Sequence, residues 1–241
     1  MSLALGGQMR AAFPIDEEVD VLDVVDIARF VVGTPANAFV EVLADINADG
    51  AVNIGDAVVL VNDIAGDQNF VKERRAQSNF ATNDVLSLTA HDGNLSLNLD
   101  NNRDYTAFQF DLYVPENVDV SQMMLNAERK QGHQLIYNKV EECHYRVAAL
   151  SLSNHTFNGH NGELLNIALE GLSGNEVSIR NIQFFDAEGR GYQFEDVEAA
   201  ITTGLTPTLS KGEGVIYDLQ GRKREKVLRG VNIVNGKKIL Y

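Results

Sequence analysis

From Val85 onward the chain alternates apolar and polar residues, and before it two short stretches repeat apolar positions at helical spacing. Leu86, Leu88 and Ala90 alternate, then Leu95, Leu97 and Leu99, then Phe108, Phe110, Leu112 and Val114. Turn signals separate these runs: HDGN at 91–94, DNNRD at 100–104 and PEN at 115–117. Further strands are predicted over 134–140, 145–151, 164–169, 177–185 and 192–194. Period two puts every second side chain on one face, so several short runs of this kind predict an antiparallel β-sandwich. The tail reads GVIYDLQGRK and GVNIVNGKKILY, a short β-hairpin with glycine turns.

The first part of the chain carries an internal repeat. VDVLDVVDIARFVVG (19–33) aligns with VNIGDAVVLVNDIAG (52–66) at a shift of 33 residues. Val24, Val25, Ile27, Ala28, Val31 and Val32 recur at helical spacing, as do Val58, Val59, Leu60, Ile64 and Ala65. A glycine follows each run, where a helix C-terminus favours positive φ. Two helices this short cannot hide their apolar faces alone and are expected to pack together. The reading is a multidomain α plus all-β chain. A two-helix module spans 11–68 and a polar linker 69–84; a β-sandwich follows over 85–204 and a β tail over 205–241.

Charge sharpens this division. The net charge is −14, but residues 1–70 hold 12 acidic and 2 basic residues, whereas residues 205–241 hold 3 and 8. The overall sign argues against nucleic acid or anionic lipid as a partner. Carboxylates concentrated in the first unit suit a hard cation. No window approaches the roughly 20 apolar residues needed to cross a bilayer. The opening MSLALGGQMR is too short and too weakly apolar to read as an export signal.

The sharpest motif is the twelve-residue stretch from Asp45 to Asp56. A calcium loop of the EF-hand type places oxygen ligands at positions 1, 3, 5, 7, 9 and 12, with glycine at 6. Asp45, Asn47 and Asp49 fill the first three, and Gly50 sits at the turn. The Ala51 carbonyl falls at 7, Asn53 at 9 (able to act through a water) and Asp56 at 12. An Asx-rich surface turn is the plainer alternative, but ligand types at every side-chain position favour Ca2+. In the first copy, positions 1, 3 and 6 fall on Ala12, Pro14 and Glu17, leaving Asp16, Asp20 and Asp23 as a weaker second site.

These residues resemble the type I dockerins of bacterial polysaccharide-degrading systems. In that family a loop–helix unit is doubled, and the calcium loops lack an entering helix and end in Asp. The resemblance covers about residues 11–66 and is specific in D-x-N-x-D-G-x-V-N-x-x-D at 45–56. It implies Ca2+ as cofactor and a cohesin-type module as partner, within the chain or in another. Docking residues are implied at Val21, Leu22, Ala28 and Arg29 in the first copy and at Ile54, Gly55, Val61 and Asn62 in the second. Apolar helix residues are more often core, so packing is the competing role for them.

The sandwich resembles the cohesin or carbohydrate-binding modules found beside dockerins in Bacteroidetes proteins, through YTAFQFDLYVPENVDV (105–120) and GELLNIAL (162–169). The tail is similar to the C-terminal sorting segments of Bacteroidetes surface proteins in YDLQGRK and NGKK, with Asn232 where that family has Tyr. A plain hairpin finishing the fold is the alternative for the tail. Together these resemblances imply a secreted or cell-surface bacterial protein acting in an extracellular polysaccharide-processing assembly.

A glycan bound by the sandwich is the second functional reading. Sugar-binding surfaces use exposed aromatics; the chain has no Trp, and Tyr105, Tyr113, Tyr137, Tyr145 and Tyr192 fall at strand positions. Catalysis is not expected. The single cysteine, Cys143, excludes an internal disulfide and a Cys-based zinc site. It lies among His133, His144, His155 and His160 without the surround of a thiol nucleophile. Glu141 and Glu142, like Asp16, Glu17 and Glu18, read as solvated runs, and nothing designates a facing carboxylate pair.

Overall fold

A computed structural model describes residues 19–37, 39–66, 80–91, 93–171 and 176–201, together with the backbone of 216–217, 223–224, 231–234 and 237–240. Among the described residues three helices come first: α1 (Val21–Val31), the short α2 (Glu41–Ala44) and α3 (Ile54–Ile64). Each of the two longer helices opens with a capping box, Asp20 with Asp23 for α1 and Asn53 with Asp56 for α3. The cap side chain satisfies amides that have no partner inside the helix. Gly33 and Gly66 follow the helices with φ of +81° each, a conformation that glycine adopts without strain.

The strands are β1 (Phe80–Ala81), β2 (Val85–His91), β3 (Asn94–Asp100), β4 (Ala107–Tyr113), β5 (Val118–Leu125), β6 (Gln134–Glu141), β7 (His144–Leu150), β8 (Glu163–Gly171), β9 (Glu176–Phe185), β10 (Gly191–Gln193) and β11 (Val197–Ala200). They build two sheets. One has the order β2-β3-β8-β5; the other runs β1-β10-β9-β4-β7-β6, with β11 also paired to β9. All pairings are antiparallel except β1 with β10. The alternating residues read from the sequence form the core between the sheets: Leu95, Leu97, Leu99, Phe108, Leu112, Ile179 and Phe184 are all fully buried.

Three strands depart from the sequence reading. Phe80 and Ala81, inside the polar stretch, pair with Tyr192 and Gln193. The unit is tied there because Asp84 accepts from the Tyr105 hydroxyl at 2.7 Å and from the Asn102 amide at 2.7 Å. Strand β5 was missed because a register shift between Val120 and Gln122 breaks its alternation. Strand β11 is only four residues long and half-exposed.

The helices and the sandwich share a second core. Nine of the eleven residues of α3 are buried. Ile54, Ala57, Leu60 and Ile27 pack with Ala107, Ala148, Leu150 and Phe185 from the outer face of β4, β7 and β9. The chain divides into two compact units, Met1–Thr203 and Gly204–Tyr241. In the second unit β12 (Ile216–Tyr217), β13 (Lys223–Arg224), β14 (Val231–Val234) and β15 (Lys237–Leu240) form an antiparallel sheet in the order β13-β12-β14-β15. The described part of the tail is thus a four-stranded sheet rather than a single hairpin.

Candidate functional site

The loop from Asp45 to Asp56 closes on itself through its own acidic side chains. The Asp49 and Gly50 amides donate to the two oxygens of Asp45, each at 3.0 Å. Asp49 N–H also donates to Asn47 Oδ1 at 2.9 Å, and Ala51 N–H to Asp49 Oδ1 at 3.0 Å. Ala48 and Gly50 take positive φ values of 58° and 92°, which turn the chain tightly enough for these bonds. At the far end, Asp56 Oδ1 accepts from Asn47 N–H at 3.1 Å and its Oδ2 from Asn53 N–H at 2.9 Å. One carboxylate therefore joins the start of the loop to the first turn of α3.

Asp56 is fully buried. Burial pushes its carboxyl up to about 7; the Asn53 and Asn47 amides pull the other way, and the charges of Asp49 and Asp45 add to the rise. Among the described ion pairs, none brings a Lys, Arg or His to Asp45, Asp49 or Asp56. A buried carboxylate beside two others, with no basic partner, is the environment a cation would relieve.

The donor chemistry fits Ca2+: the oxygens are carboxylate, amide and carbonyl, and each has acceptor capacity beyond the one amide it binds. Among the described residues no three Asp, Glu, His or Cys side chains form a metal group by themselves. The Asn47 amide oxygen and the Ala51 carbonyl would therefore have to complete the set. Asn53 is committed elsewhere: its Oδ1 caps α3 through Gly55 N–H at 2.7 Å, and its Nδ2 faces Ala51 O at 3.4 Å.

Of the weaker second set, Asp20 and Asp23 form the capping box of α1, with Leu22 N–H on Asp20 Oδ1 at 2.7 Å and Asp20 N–H on Asp23 Oδ2 at 2.8 Å. Asp16 lies outside the described residues.

The residues singled out for docking separate by copy. In α1, Val21 and Leu22 are exposed, Leu22 at 62%. Arg29 is exposed beside Asp26, whereas Ala28 is core. In α3, Ile54, Val61 and Asn62 are buried. Ile54 N–H donates to Gln109 Oε1 at 2.9 Å, and Asn62 Nδ2 to the Ala187 carbonyl at 2.8 Å. Asn154 Nδ2 donates to Asn62 Oδ1 at 2.6 Å. A Cβ added at Gly55 would stand 2.7 Å from the Phe185 ring. The docking positions of the second copy are thus occupied by the chain's own sandwich.

Sequence reasoning missed the receiving face, made by Ala107, Gln109, Ala148, Leu150, Asn154 and Phe185. Its signal was in β7, where Val147, Ala148, Ala149 and Leu150 are apolar on both faces, as in a strand covered on both sides.

The histidines are engaged separately. His133 is buried against the Phe157 ring, 3.8 Å between centroids, and burial pushes it down to about 4. His144 Nε2 hydrogen-bonds Asp111 Oδ1 at 2.9 Å, His155 faces the Gln131 carbonyl and His160 faces Asn101. Cys143 is half-buried in the turn between β6 and β7. Tyr105, Tyr145 and Tyr192 are buried; Tyr137 is 39% exposed, and Tyr113 is half-covered by His144 and Arg180. No helix among the described residues is long and apolar enough to cross a membrane.

No family model matches the chain, and no curated protein matches it. Among solved structures, the chain is similar to a non-cellulosomal cohesin from Archaeoglobus fulgidus at 16% identity, over 50% of this chain and 92% of that one, with a TM-score of 0.39. It is similar to the sixth cohesin of Acetivibrio cellulolyticus scaffoldin B, solved with a Cel5 dockerin, at 11% identity, over 50% and 100%, with a TM-score of 0.40. A cohesin module from a Clostridium perfringens family 33 glycoside hydrolase matches at 10% identity, over 50% and 94%, also at 0.40. The sandwich architecture stands on its own strand pairing.

Proposed function

We propose that this chain is a non-catalytic, calcium-binding protein–protein interaction component, an adaptor of an extracellular polysaccharide-processing assembly at or outside the bacterial surface. The head is read as a dockerin-like module. Its second helix docks in cis on the cohesin-like sandwich behind it, and Val21, Leu22 and Arg29 of the first helix remain available to a partner. One observation carries this reading: the buried Asp56 carboxylate, which has no basic partner among the described ion pairs, both ends the Asp45–Asp56 loop and starts the helix that docks. Calcium would neutralise that end and hold the first turn of α3, supplying folding energy that two short helices lack.

The test is calorimetric titration of EDTA-stripped protein with calcium, beside an Asp45→Ala, Asp56→Ala double variant. About one equivalent should bind to the parent and none to the variant. Absence of binding to the parent would reduce the loop to an Asx-rich turn.

A further inference from the structure

A cleft of about 240 Å³ lies between the end of α1 and the outward face of β9, β4 and β7. Its floor is polar: Gln109, Asp111, Arg146 and Asn181. Phe30 and Val52 of the helical head form its apolar wall. The floor is held in place. Asp111 takes His144 Nε2 on Oδ1 at 2.9 Å and Asn181 Nδ2 on Oδ2 at 2.7 Å, and Gln109 is fixed between Ile54 N–H and Gln183 Oε1. The Phe30 ring is fixed by stacking on Phe39, 4.7 Å between centroids.

Asn181 reaches Asp111 from a left-handed backbone. Its φ is +51°, in the left-handed region, beside a register shift between β4 and β9. Bulges of this kind re-aim a side chain, and a strained non-glycine residue persists where its side chain is needed.

The size and chemistry of the cleft select its ligand. A volume of 240 Å³ accommodates one sugar ring and little more. Asp111 and Arg146 lie 3.6 Å apart and offset each other, so a charged ligand gains nothing net. What remains is an acceptor carboxylate beside donor guanidinium and amide groups, the set that adjacent hydroxyls satisfy as donor and acceptor together. Opposite them is an aromatic wall for an apolar C–H face. We propose that this cleft binds a single neutral hexose unit, held between head and sandwich.

Saturation-transfer NMR and calorimetry on the full chain with calcium test this, using the methyl glycosides of glucose, galactose and mannose up to 10 mM as probes. One of them should bind, and Arg146→Met should weaken it by at least about tenfold, the weight of one charged hydrogen bond. Asn181→Gly should also weaken binding while the melting temperature changes little, since the relieved positive φ offsets the lost hydrogen bond to Asp111. A purely structural Asn181 would not show that pair of effects. The absence of transfer from all three glycosides overturns the proposal, as does binding that both variants leave unchanged. Calcium uptake is measured in the same samples, so failure of the loop reading and failure of the cleft are read separately.

Discussion

Arg129 is a buried cation that binds oxygens without a carboxylate among its hydrogen-bond partners. Its Nε donates to the Asn158 carbonyl, Nη1 to those of Leu99 and Gly162, and Nη2 to Asn101 Oδ1 and the Gly159 carbonyl. One planar group thus joins the end of β3 to the loop before β8. Lys has three donors and no fixed fork. Arg129→Lys should therefore cost about 3 kcal/mol in urea unfolding, on the scale of hydrogen bonds to a charged group lost from a buried site. His133 sets a pH dependence. Its folded value of about 4 lies below the ordinary 6.5, so the fold prefers the neutral ring. The stability it contributes is present above pH 6.5 and is lost as pH falls through 4, by at most about 3 kcal/mol. Asp56 acts in the opposite sense over the same range, so the readout is a difference: between pH 7 and pH 4 the urea midpoint of the parent should fall relative to that of His133→Phe.

At the scale of elements, the two copies of the repeat have kept the same start and acquired different surroundings. Both helices begin with an acid or amide cap, and Asp20→Ala should cost about 1 kcal/mol by urea unfolding. Helix α3 differs because its first turn touches the sheet. A Cβ at Gly55 would stand 2.7 Å from the Phe185 ring and 2.8 Å from Asn53 Oδ1, so Gly55→Ala must move one of them. Overpacking of this kind costs about 1–3 kcal/mol. The expected outcome is a lower melting temperature with calcium uptake retained, because Asp45, Asp49 and Asp56 are untouched. The edge strands β5 and β6 each carry a register shift, between Val120 and Gln122 and between Lys139 and Glu141. Such irregularities blunt an edge against pairing with another chain.

At the scale of the molecule, the calcium proposal predicts a link between uptake and stability. A ligand that binds only the folded state stabilises it by about 2.7 kcal/mol at a free concentration of 100 times Kd. Calcium should therefore raise the melting temperature of the parent and leave the Asp45→Ala, Asp56→Ala variant unchanged; differential scanning calorimetry in calcium and in EDTA reads this directly. Because α3 shares its core with Ala148 and Phe185, the shift should appear in the transition of the sandwich as well as of the helices.

The sequence by itself determined what depends on near neighbours in the chain. Period two placed Leu95, Leu97, Leu99, Phe108 and Leu112 in the sandwich core, because alternation fixes which side of a strand is covered. The 33-residue repeat placed α1 and α3 and the glycines that follow them, and the order Asp45, Asn47, Asp49, Gly50 and Asp56 placed a loop whose side chains do converge on its own backbone. The tertiary structure alone decided which surfaces meet. Ile54 and Val21 occupy equivalent places in the repeat's helices, yet one is buried and the other exposed, because the first turn of α3 meets the sheet at Gln109 and Phe185. Strand β5 carries a register shift against β8 between Val120 and Gln122, which breaks the period-two pattern along it. The cleft gathers Phe30, Gln109, Asp111, Arg146 and Asn181 from four separate elements. Contacts between residues far apart in sequence leave no periodic trace, because they follow from how packed faces match rather than from the spacing of residues along the chain.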